Sequence, residues 1–304
     1  MTSFFDKRSS GRIKKPIFMA LYSGPGVGKT DFAASFPSPH FFDFEESTDS
    51  INVSRSRPAS FTEMMDDLEE IRDADDTQGI KTLAFDTIDE FERLIHRHVA
   101  AEAKKAHIEN IGWQKGYDMA VNHWADFINL CREIRDKHNM HFIFLAHSTG
   151  RSHTDLEQGE SFSRHAMCLH KKAAEYFFGQ VEMVLFAKKD IAIKVVDEKV
   201  IAKDVEERVL CTSLSAHYDA KNRIGLPPTM PMPYKNGFPT LWTAYEKAFN
   251  ETPENVYKEC CDLIKKVQLE ETRKQMQEYC DKHKDDLAIM RATLQRIKEN
   301  IGEK

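Results

Sequence analysis

Between residues 23 and 30 the chain reads Ser23-Gly24-Pro25-Gly26-Val27-Gly28-Lys29-Thr30. Glycines at this density let successive backbone N–H groups curl round an anion where a Cβ would clash. Lys29 and Thr30 follow at the spacing that sets an ammonium on the outer phosphates of a nucleoside triphosphate and a hydroxyl on Mg²⁺. One position departs from the pattern G-x-x-x-x-G-K-[ST], because Ser23 stands where the first glycine belongs. The bland alternative is a surface turn that contains Gly-Lys-Thr by chance.

Carboxylates that would serve such a site stand at the ends of apolar runs. Asp86 closes Lys81-Thr82-Leu83-Ala84-Phe85, a position that puts a carboxylate near the Mg²⁺ held by Thr30. Glu45 and Glu46 follow Phe41-Phe42-Asp43-Phe44, where a carboxylate can orient an attacking water. Each is otherwise an ordinary strand-end or loop acid. His147 follows His141–Ala146 and is placed to sense a terminal phosphate, or else is a hydrogen-bonded rim histidine.

Basic and aromatic residues then mix between 148 and 172: Arg151, His153, Phe162, Arg164, His165, Lys171 and Lys172. Such a mixture suits single-stranded nucleic acid, through phosphate pairing and base stacking. It equally suits a solvated loop. His165, Cys168 and His170 fit no common zinc spacing.

These residues need a scaffold that gathers strand ends. Ile17 to Tyr22 reads as a buried strand feeding the glycine-rich turn, and Asp31 to Phe36 as the opening of a helix. Phe61 to Arg72 is helical, with Phe61, Met64, Met65, Leu68 and Ile71 on one face. Helices are also expected over Phe91–Ala106 and Tyr117–His138, a further strand over Val181–Ala187, and a hairpin or two edge strands from Ile191–Val196 and Arg208–Leu214. Leu226 to Pro239 has no period and reads as a loop. Strands alternating with helices predict an α/β fold with a mostly parallel sheet. From Leu241 the chain turns to broken apolar faces in a Glu/Lys/Gln/Arg background, which predicts two or three helices.

The 304 residues suffice for one large α/β domain and an appendage, and the hydrophobic fraction of 41% suits a globular chain. A net charge of −6 excludes a generally basic coat, so any nucleic-acid contact is local. Six scattered cysteines form no C-x-x-C pair. Met1–Lys15 is polar and basic, unlike a signal peptide, and no apolar run nears the ~18 residues of a membrane span. A cytoplasmic protein with reduced thiols is expected.

Taken together, the chain resembles a phage-type RecA-like ATPase, specifically the single-strand-annealing recombinases of the RecA superfamily. Five segments carry the resemblance: Gly24–Thr30, Asp43-Phe44-Glu45, Leu83–Asp86, Phe144–Ser148 and Asp219–Pro227. The resemblance implies a RecA-like P-loop core over residues 14–240, a short arm over 1–13 and a helical extension over 241–304. It implies that Glu45 activates water, that His147 senses the γ-phosphate and that ATP with Mg²⁺ is the ligand. The segment Thr149–His165 would bind single-stranded DNA, with a second DNA loop near His107–Lys115 that includes Lys115. Lys221-Asn222-Arg223-Ile224-Gly225 is similar to the Lys-Asn-Arg-Phe-Gly motif of bacterial RadA relatives, with Ile224 replacing the aromatic. There, Lys221 and Arg223 would reach a neighbouring subunit's nucleotide. The implied activity is ATP hydrolysis in an oligomer, ring or filament, that assists phage recombination or strand annealing. Two rivals remain: a nucleotide-gated adaptor that recruits a single-strand-binding protein or nuclease through its helical tail, and a small-molecule kinase.

Overall fold

The computed structural model describes residues 8, 10–154, 161–196 and 199–301. Side-chain statements leave out residues 154, 190–196 and 199–206 as well. The chain divides into two compact units, Met1–Tyr245 and Glu246–Lys304.

The first unit is built on one ten-stranded sheet. Its parallel body runs β7 (Met183–Val196), β1 (Phe18–Ser23), β5 (His141–Thr154), β4 (Thr82–Asp86), β2 (Pro39–Asp43) and β3 (Ser54–Ser56). β8 (Lys199–Cys211) continues the sheet antiparallel to β7, and β10 (Thr229–Pro231) pairs antiparallel to β8. Phe18, Met19, Ala20, Leu21 and Tyr22 are all buried, so β1 is apolar on both faces, as a strand central to a parallel sheet must be.

One face carries Phe18, Tyr22, Phe42, Phe85, Phe142 and Phe144. It packs against α2 (Phe61–Asp73), α3 (Ile88–Glu102), α4 (Lys115–His138) and α5 (Lys171–Gln180) through Met64, Phe91, Trp124, Phe127 and Phe177. α1 (Lys29–Ala34) and the start of α6 (Gly237–Asn250) meet elsewhere. There, the Phe36 and Phe238 rings pack at 4.7 Å between centroids, tilted by 52°, and a Cβ on Gly237 would come within 2.6 Å of the Phe32 ring.

Several segments differ from their sequence reading for identifiable reasons. β5 runs on past His147 to Thr154, because its polar second half pairs antiparallel with β6 (Ser161–Met167). The segment read as a loop from Thr149 to His165 is therefore a hairpin, and residues 155–160 of it lie outside the described residues. The strands expected at Val181–Ala187 and Ile191–Val196 are one strand, β7, paired along β8 with an irregularity between Lys189 and Ile191. The proline-rich loop contributes β10 at the sheet edge, where Pro231 needs no ladder donor. A two-residue strand, β9 (Lys221–Asn222), pairs with β7.

The second unit holds α7 (Pro253–Ile264), α8 (Glu270–His283) and α9 (Leu287–Ile301). Val256, Cys260, Ile264, Cys280, Met290 and Ile297 form its own apolar core. Among the described residues no helix is long and apolar enough to cross a membrane.

Candidate nucleotide site

Parallel register brings the strand ends to one edge. Ser23 lies beside His147, Asp86 beside Leu145, and Asp43 beside Asp86. Ser23–Gly28 leaves β1 at that edge and turns into α1 at Lys29. Gly26 and Gly28 adopt φ of +71° and +89°, a region open to glycine without strain. Ser23, in the place of the first glycine, is buried, and its Oγ donates to the Gly24 carbonyl at 2.7 Å. Pro25 and Gly26 form the exposed crest, and Val27 tucks back inside.

Lys29 is 7% exposed. Burial lowers the pKa of its ammonium, and the carboxylates of Asp86, Asp89 and Glu45 offset part of that effect. Thr30 Oγ1 donates to Asp86 Oδ2 at 2.8 Å. Ser47 Oγ donates to the same oxygen at 2.9 Å. Burial raises the Asp86 pKa, while Thr30, Ser47 and Lys29 pull it down. The two hydroxyls and the carboxylate make an all-oxygen set, the donor chemistry that Mg²⁺ takes.

Asp43 holds the loop after β2 in place. It accepts from the Ser47 amide at 3.0 Å and from Thr48 Oγ1 at 2.7 Å, and pairs with Arg57 at 3.0 Å. Burial would raise its pKa, but these bonds win and hold the carboxyl below its usual range. The same loop carries Glu45, whose Oε1 accepts from Thr87 Oγ1 at 2.6 Å. Burial raises the Glu45 pKa against the pull of Thr87 and His147.

His147 Nδ1 lies 2.8 Å from Asp89 Oδ2 and 3.5 Å from Glu45 Oε1. The His147 amide donates to the other Asp89 oxygen at 2.9 Å, so Asp89 fixes both the backbone and the ring. Ligand atoms of Glu45, Asp89 and His147 all fall within 4.8 Å of one another. Glu46 has φ of +57° and is exposed on the same loop.

The basic residues gather elsewhere. On the β5–β6 hairpin, His153 and Phe162 stack at 6.2 Å between centroids. Arg164 lies over Phe162 at 5.6 Å, contacts His153 Nδ1 at 3.0 Å and pairs with Asp219 at 3.1 Å. Arg151 donates to the carbonyls of Met167 and Leu169. Together with His153, Lys171, Phe178 and Lys221, Arg151 lines a cavity of about 930 Å³. Lys221 Nζ donates to the Phe178 carbonyl, and Arg223 donates to that of Gly179 at 3.0 Å. Burial brings the Lys221 pKa down to about 8, and Arg223 adds to the fall. Lys115 opens α4 after Gly112, Trp113 and Gln114, all three at positive φ, and Trp113 is 95% exposed. His165 stacks on Phe186 and His170 on Tyr117, so these two candidate zinc ligands do not converge.

Several residues of this edge were not singled out in the sequence. Asp89 gave a signal only as a helix-start acid. Ser47 lay in a loop read by composition alone. Arg208, on β8, reaches the phosphate loop and donates to the Val27 carbonyl at 2.7 Å across 181 positions. No sequence spacing announces that contact.

A search of curated proteins finds no match. Among solved structures, that of a RadB recombinase aligns at a TM-score of 0.40 and 13% identity, covering 73% of this chain and 90% of that one. The model of the AAA domain family matches residues 15–224, more than half of the chain. In the structure the phosphate-loop strand β1 is separated from the aspartate strand β4 by β5, in the order β7-β1-β5-β4-β2. The chain belongs to the AAA domain family, and its core is an α/β fold on a mostly parallel sheet with the glycine-rich loop at the strand ends.

Proposed function

We propose that this protein binds ATP with Mg²⁺ in the Ser23–Thr30 loop and hydrolyses it in a cycle linked to single-stranded DNA. The observation that carries the nucleotide half is the contact between Thr30 and Asp86 beside a buried Lys29. In this reading Lys29 pairs with the outer phosphates, and Thr30 and Asp86 hold the metal. Mg²⁺ bound there supplies charge that offsets the build-up on the transferred phosphoryl oxygens. Glu45 orients the attacking water and accepts its proton, a role that its raised pKa favours. His147, held by Asp89, reads the outer phosphate.

The DNA half rests on continuity of the chain. His147 at the site and Arg151, His153 and Phe162 of the hairpin are joined by β5 and β6. Tyr22, next to the phosphate loop, donates to the His165 carbonyl at 3.0 Å and so ties β1 to the hairpin. Phe162 and Trp113 are exposed aromatics beside Arg164 and Lys115, the combination that stacks and neutralises a single strand. Lys221 and Arg223 hold carbonyls of their own chain, so a role on a neighbouring subunit's nucleotide requires them to exchange these partners.

The test is phosphate release measured with and without single-stranded DNA. Wild type should accelerate several-fold on adding DNA, and Lys29→Ala should show no release in either condition. Hydrolysis indifferent to DNA would sink the DNA half and leave the ATPase standing.

A further inference from the structure

Beyond the phosphates, a nucleotide has a flat end, and the structure holds an unused flat surface next to the loop. Arg208 is 3% exposed, yet its Nε and Nη2 have no hydrogen-bond partner. Its Nη1 is fixed on the Val27 carbonyl. Its guanidinium lies 3.6 Å over the ring of Tyr234, which is itself 60% exposed. Met232 N donates to the Arg208 carbonyl at 2.8 Å, which ties the segment carrying Tyr234 to β8. The guanidinium also fills the space above Gly28, where a Cβ would sit 1.9 Å from Nη1.

A desolvated cation with unmatched donors is costly to keep, and the charge of the nearby Asp31 carboxylate offsets only part of that cost. An exposed ring backed by a cation is a stacking platform that accepts the face of any base.

We propose that Arg208 and Tyr234 form the nucleoside-binding face of the nucleotide site, with the Tyr234 ring as the platform for the base. This rests on the reading of Ser23–Thr30 as a triphosphate site. The guanidinium, fixed on the Val27 carbonyl, positions the ring beside the phosphate loop.

Affinities for ATP and for inorganic tripolyphosphate, each with Mg²⁺, separate the base from the phosphates. On the full chain, Tyr234→Ala should weaken ATP about tenfold, the size of one lost base stack. It should leave tripolyphosphate binding unchanged, and Tyr234→Phe should bind ATP as wild type does. Equal weakening of both ligands, or of neither, would overturn the platform. So would a wild type that binds the two ligands equally well. A wild type that binds neither would overturn the triphosphate site itself and this inference with it.

Discussion

The Thr30 hydroxyl donates to the Asp86 carboxylate at 2.8 Å, joining the first turn of α1 to the tip of β4. Ser47 reaches the same oxygen from the loop after β2. Two separate chain segments thus converge on one carboxylate, at the tip of a third, whose charge burial disfavours. A divalent cation is the species that would stabilise it. Asp86→Asn should lower ATP affinity at least tenfold in Mg²⁺ and change it little in EDTA. Calorimetric titration in the two buffers checks this, and equal losses would remove the metal from the role given to Asp86.

Gly28 has two reasons to be glycine: its φ of +89° and the Arg208 guanidinium 1.9 Å from any Cβ. Gly28→Ala should cost about 2 kcal/mol in folding stability, from backbone strain and displacement of Arg208. Chemical denaturation measures the stability, and nucleotide titration should show binding lost as well. Gly24→Ala, with nothing within 4 Å of its Cβ position, is the matched control and should be milder.

Asp89 is bonded to both the amide and the ring of His147. Asp89→Ala should leave ATP affinity within a few-fold of wild type. It should slow hydrolysis about 10²-fold, the lower range for losing a positioned proton-transfer network. Steady-state phosphate release with a parallel affinity measurement separates the two effects.

Much of this edge was legible because it is local. The run from Ser23 to Thr30 declares its turn, its lysine and its hydroxyl within eight residues. Apolar runs ending in Asp86 and His147 announced buried strands whose tips must meet in a parallel sheet. Other contacts depend on register between segments far apart, which no local pattern encodes. Arg208 meets Val27 only because β8 folds back on β7, which lies beside β1. Asp43 anchors Ser47, Thr48 and Arg57 through a loop whose composition suggested only irregularity. The hairpin after His147 escaped notice because its Ser, Thr, Gly and His residues carry no apolar alternation.

Glu92 is buried on α3, where one oxygen accepts from the His170 amide at 2.8 Å. Burial pushes its pKa from 4.5 up to about 7, against the pull of that amide. The folded chain therefore holds a proton that the unfolded chain releases, so stability falls as pH rises from about 4.5 through 7. The penalty at pH 8 is about 3 kcal/mol relative to the neutral acid. Urea denaturation at pH 5 and pH 8 should show Glu92→Gln gaining on wild type at the higher pH. A constant difference between the two proteins would contradict the shift.

Trp113 is 95% exposed, whereas Trp124 is fully buried. Single-stranded DNA should quench the exposed fluorophore. Trp113→Ala should lose most of that quenching and bind DNA roughly fivefold or more weakly, in line with one lost stack. Unchanged affinity would place the strand elsewhere.

The most direct test of the proposed chemistry is single-turnover hydrolysis by Glu45→Gln beside wild type, with Mg²⁺ and saturating ATP. The variant should bind ATP as tightly as wild type and release phosphate at least 10²-fold more slowly, since it keeps the site's shape and loses the base. Equal rates would show that water is activated by some other group, and the assignment of Glu45 would be wrong.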